Sequence, residues 1–116
     1  MTFAPGGSNA VGPTSGGKVF AYNALTTAPA QVAAANPSRT SITFHNPGTV
    51  DIFIAPAQIQ TSGSNTAFAP TTAALGGCFR LTATSNLTIT GECQGAWQAF
   101  AASGTTNPLT VIDTNV

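Results

Sequence analysis

Apolar residues along this chain recur in short alternating runs, and turn signals separate those runs at close spacing. That pattern predicts strands and no long amphipathic helix. The first run covers residues 18–25. A weaker one lies at 30–34, where the alanines also suit a helical turn, and Asn36-Pro37 ends it. Residues 39–45 and 50–55 make the clearest pair, joined through Asn46-Pro47-Gly48-Thr49. Residues 56–75 are looser, with a short strand expected near 66–68. Gly76-Gly77 then opens a second pair, 78–83 with 87–93, followed by strands at 96–102 and 109–113.

Burial decides the register expected of the first pair. Ile42 and Phe44 share a face with Val50, Ile52 and Ile54 only across a three-residue loop, 47–49, although Pro47-Gly48 suits a type II turn. A slip by one residue would turn the apolar set to water. This register sets His45 opposite Asp51, with Phe53 beside them on the outer face. In the second pair the same rule groups Phe79 and Leu81 with Leu87 and Ile89. It also puts Arg80 near Thr90 and diagonal to Glu92. Cys78 and Cys93 then point to opposite faces, so their thiols are expected to be free. Seven or eight such strands predict an all-β fold, an antiparallel β-sandwich over residues 18–116. Residues 1–17, with five Gly and two Pro, read as an extended N-terminal arm.

Composition narrows the role. The 116 residues suffice for one domain. Only 5% are charged, against about 25% in ordinary domains, and three basic residues balance three acidic ones. No nucleic-acid partner and no anionic membrane partner fits that balance, since both need a clustered positive face. Nineteen Thr against one Lys suit pleated surfaces. So little surface charge gives weak mutual repulsion, which favours life in an assembly. The first seven residues carry no secretory signal pattern, and two cysteines are too few for a disulfide scaffold. Both point to synthesis in a reducing cytoplasm.

The candidate chemistry is sparse. A His45–Asp51 pair could be a catalytic dyad, but no nucleophile motif accompanies it. The plainer reading is a cross-strand polar pair on an interface face, whose protonation would make assembly vary between about pH 5 and 7. Phe53 on that face would be covered by the arm or by a partner. Trp97 and Tyr22 could stack on a sugar, though a strand Trp between Ala96 and Ala99 suits a core. Asp51, Glu92 and Asp113 fall on separate strands, and no metal cluster or phosphate loop is present. No enzymatic role, metal or cofactor is expected. The candidate partner-binding residues are Phe3, His45, Asp51, Phe53 and Trp97.

Two stretches carry a resemblance. One runs from Asn36-Pro37-Ser38-Arg39 through Ser41-Ile42-Thr43-Phe44 to Asn46-Pro47-Gly48 and Asp51-Ile52-Phe53-Ile54. The other joins Gln94-Gly95-Ala96-Trp97-Gln98-Ala99 to Pro108-Leu109-Thr110-Val111-Ile112-Asp113. Together they resemble small tailed-bacteriophage virion proteins of the head decoration, or cement, kind. The resemblance implies a jelly-roll-like sandwich that oligomerises; a homotrimer and a homodimer both suit a small sandwich, and the homotrimer is preferred. It further implies a site on the capsid exterior, bound to the major capsid protein in a virion assembled in the host cytoplasm. A tail or fibre component and a host-glycan-binding module are the alternative readings.

Overall fold

The computed structural model describes residues 16–115, and all regular structure among them is β. The strands are β1 (Gly16–Leu25), β2 (Ala30–Ala33), β3 (Arg39–His45), β4 (Ile52–Pro56) and β5 (Gln58–Thr61). They continue with β6 (Ser64–Ala67), β7 (Phe79–Leu81), β8 (Asn86–Thr90), β9 (Trp97–Ala101) and β10 (Asn107–Asn115). One antiparallel sheet has the order β2-β9-β4-β7 and the other β1-β10-β3-β8, while β5 and β6 form a separate hairpin.

Pairing is nested. Leaving out that hairpin, the first strand pairs with the last, the second with the second-last, the third with β8 and the fourth with β7. The chain is thus one long hairpin rolled over itself, which is the jelly-roll form of the sandwich. Both the all-β sandwich and its jelly-roll character agree with expectation. The proposed arm lies almost wholly outside the described residues; β1 begins at Gly16, two residues before the expected domain edge.

The core is built by alternation. Along β10, Asn107, Leu109, Val111 and Asp113 are buried, whereas the intervening residues are not. Ile42, Phe44, Leu109 and Val111 from one sheet meet Val32, Ile52, Ile54, Leu81 and Trp97 from the other. Each large apolar side chain withdrawn in this way contributes about 1.5–3 kcal/mol.

Neither expected hairpin exists. Residues 39–45 and 52–56 are strands of opposite sheets, and so are 79–81 and 86–90. Ile42 and Phe44 do share a core with Ile52 and Ile54, but they face them across the sandwich. Apolar parity fixes which face of a strand is inward and leaves its sheet unspecified. Arg80 accordingly lies opposite Phe53, not Thr90, and Thr90 lies opposite Ser41.

Asparagine–proline pairs mark three of the places where the chain changes sheets. A residue before proline is held extended, and the Asn side chain satisfies backbone groups that a corner leaves unpaired. Asn46, wholly buried between β3 and β4, donates to Val50 O at 2.8 Å and Leu81 O at 3.0 Å, and its Oδ1 accepts from Gly48 N. Asn36, between β2 and β3, accepts from Ser38 N in the same turn form. Asn107, opening β10, donates to Leu25 O and Ser103 O. The β5–β6 hairpin closes on Ser62-Gly63, both at positive φ (50° and 82°), as a type I′ turn requires.

Candidate functional site

The five expected contact residues scatter. Phe3 lies outside the described residues. His45 ends β3, opposite Asn86 and Thr110, and its Nδ1 hydrogen-bonds to Asn86 Oδ1. Asp51, just before β4, instead accepts from Arg80 Nε at 2.7 Å. The register therefore gives His45 and Asp51 different partners on different sheets, and they are not a cross-strand pair. Phe53 is 6% exposed and stacks on Phe100 at 5.3 Å between ring centroids. The two rings lie on the face of their sheet turned from the core. The segment after β6 is tied to that sheet, Gln98 Nε2 donating to Phe68 O at 2.7 Å. Trp97 is also 6% exposed: it packs on Phe44 and donates from Nε1 to Cys93 O. Phe53 and Trp97 are thus occupied inside this chain.

Both thiols are free, Cys93 buried and Cys78 half-buried. The expectation holds for another reason than parity, because residues 78 and 93 do not belong to one hairpin. Burial pushes the Cys78 thiol above its ordinary value and does the same for the Tyr22 phenol, whose hydroxyl donates to Val32 O at 2.7 Å. No group of three His, Cys, Asp or Glu side chains among the described residues could hold a metal ion.

Sequence reasoning missed two features. The first is a buried polar knot at one end of the sandwich. Arg39 is 2% exposed, yet all five of its donors are satisfied. Nε and Nη2 reach the Asp113 carboxylate at 2.9 and 3.2 Å. Nη1 reaches Cys93 O and Gly95 O, and Nη2 also reaches Ala34 O. Asn36 Nδ2 adds a bond to Asn115 Oδ1 at 2.7 Å. The Arg39 hydrogen bonds, assisted by its charge, by Asn36 and by Lys18, hold the Asp113 carboxyl below the usual carboxylate range against the opposing effect of burial. This knot ties three separate stretches of chain together, 34–39, 93–95 and 113–115.

The second feature is β1. Among the described residues it pairs only with β10. Opposite residues share a face, so Lys18, Phe20 and Tyr22, set against Asp113, Val111 and Leu109, point to the core side, whereas Val19 lies with Ile112 outside. Among the described residues the edge strand of the opposite sheet that faces them is the short β2. An open cleft of about 650 Å³ remains between the two edge strands, with Lys18, Phe20 and Tyr22 on one wall and Gln31, Val32 and Ala33 on the other. Val19 is 67% exposed and Phe20 39%. The sequence signal was the run Lys18-Val19-Phe20-Ala21-Tyr22, apolar on both parities and so written for a strand covered on both faces.

No family model matches this chain, and no curated protein matches it. Among solved structures, the chain is similar to one from Bacillus described as "Bacillus endospore appendages form a novel family of disulfide-linked pili". The likeness spans 97% of this chain and 100% of that one, with 12% identity and a TM-score of 0.43.

Proposed function

We propose that this chain is a structural protein with no reactive centre, which works by binding neighbours in an assembly. More specifically, it is a decoration or cement protein on the exterior of a phage capsid, made in the host cytoplasm and bound to the major capsid protein and to itself. The observation that carries this reading is the open side of the sandwich. A ten-residue strand that is an edge among the described residues exposes Val19 on its outer face and Phe20 on the wall of an open cleft, and exposed apolar surface marks contact sites. Among the residues that carry the resemblance to decoration proteins, Asn36, Arg39, Asn46 and Asp113 act in holding the fold, and the assignment to a capsid rests on that resemblance alone. A cement protein binds the assembled lattice in preference to free subunits and so stabilises it by mass action. Repeated contacts let modest individual affinities add.

The test is co-sedimentation with DNA-free expanded phage heads. Binding at fixed stoichiometry, with heads that then withstand higher temperature, is expected. A chain that stays in the supernatant at every head concentration overturns the capsid assignment.

A further inference from the structure

We propose that β1 pairs antiparallel with β1 of a second copy about a two-fold axis at Phe20, joining two β1-β10-β3-β8 sheets into one. The inference rests on the assembly role above and names one of its contacts.

The other sheet edges are short: β2 has four residues, β7 three and β8 five, whereas β1 has ten. Proteins protect long edges with proline, charge or bulges. Residues 16–25 contain no proline and one charge, Lys18, and pairing with β10 is regular from Tyr22 to Gly16. The outer rim of β1 is a row of backbone donors and acceptors, and the group that matches such a row is another strand. Apolar side chains on both faces of that strand, Val19 on one and Phe20 on the other, fit a position inside a sheet.

A second copy is the occupant because β1 complements itself. A two-fold axis normal to the sheet keeps each face on its own side, so facing residues must have the same parity. Centring on Phe20 sets the two Phe20 rings together, Val19 against the partner's Ala21, and Lys18 against the partner's Tyr22. The ammonium then lies beside an aromatic ring, a favourable arrangement. The two Lys18 residues are separated by four strand positions, about 14 Å, which exceeds the screening length of about 8 Å. The near-absence of charge elsewhere in β1 removes any other obstacle to like meeting like. The two clefts, one from each copy, merge beneath the paired phenylalanines.

The experiment uses the full chain carrying Cys78→Ser, which leaves only the buried Cys93. Sedimentation equilibrium is expected to give twice the 11.6 kDa of one chain. Val19→Cys, Phe20→Cys and Ala21→Cys are then oxidised mildly, and only the Phe20 variant is expected to form a covalent dimer, since only there do identical residues face each other. Val19→Lys, on the exposed face and clear of the core, is expected to weaken dimerisation on the order of tenfold by placing two ammonium groups on the pair's diagonal. A monomer throughout overturns the proposal, whether residues 1–15 cover β1 or nothing does. Cross-linking at position 19 or 21 in place of 20 also overturns it. If heads bind the chain while β1 never cross-links, the assembly role stands and this inference falls. If β1 cross-links but heads are ignored, the inference stands and the capsid assignment falls.

Discussion

Arg39 and Asp113, 74 residues apart in sequence, form a 2.9 Å ion pair that is almost wholly withdrawn from water. Removing one member of such a pair leaves an uncompensated charge, at a cost of about 3–5 kcal/mol. Arg39→Met is therefore expected to lower the free energy of unfolding by about that amount, measured by urea denaturation. Arg39→Met combined with Asp113→Leu should recover part of the loss. It should not recover all of it, because the carbonyls of Ala34, Cys93 and Gly95 lose their donor as well.

The same pair sets the acid limb of stability. The Asp113 carboxyl titrates below its ordinary value of 3.8 in the fold, so the unfolded chain binds its proton first as pH falls. The stabilisation is full above that ordinary value and is lost progressively from there down through the depressed value. Stability measured between about pH 6 and pH 2 should fall in the lower part of this range. Asp113→Asn should be less stable at neutral pH and should show a flatter acid limb.

Arg80 and Asp51 form the other ion pair, but the Arg80 side chain is two-thirds exposed. Arg80→Ala is expected to cost less than about 1 kcal/mol, and the difference from wild type should vanish in molar salt. A loss as large as that from Arg39→Met would refute this assignment.

Asn46 is a corner post. Asn46→Ala strips partners from Val50 O, Leu81 O and Gly48 N, and each buried group left unpaired costs about 1–3 kcal/mol. Asn46→Asp keeps the acceptor for Gly48 N but turns a carboxylate toward two carbonyls. It should be at least as destabilising as Asn46→Ala at pH 7, and thermal melts of the two variants check this.

Iodoacetamide labelling distinguishes the thiols. Cys93 should label only when the chain unfolds, because it is buried. Cys78 should label in the native state, more slowly than a free cysteine at pH 7, because its raised value keeps thiolate scarce.

Much of the fold was legible because period-two burial is a local property. The strand at 39–45 follows directly from alternation, whereas 52–56 and 97–101, expected at 50–55 and 96–102, are apolar runs buried on both faces. The pairing of strands was not legible from that signal. Ile42 and Ile52 face one core whether their strands lie side by side or on opposite layers, and only the buried Asn46 between them distinguishes the two. The Asn-Pro corners at Asn36 and Asn46 were visible as turn signals; the task they share with Asn107, of satisfying a change of sheet, appears only when the partners of each amide are known. Phe53 and Trp97 were chosen as contact residues because aromatics anchor interfaces, yet the segment after β6 and the opposite sheet already engage their surroundings. Arg39 read as a strand start because its carboxylate partner is far along the chain. The apolar run at residues 18–22 held the clue to the open side, since apolar residues of both parities have no solvent face to spare.

The rolled-hairpin connectivity governs how the molecule reaches its shape. Strand pairs nest from β4 with β7 out to β1 with β10, so each outer pair closes a longer span of chain and loses more entropy if formed alone. Assembly of the polypeptide should zip outward from the innermost pair, slowly as befits non-local pairing. No fragment lacking its last strand could keep Arg39 neutralised or β1 attached, which makes the domain an all-or-none unit.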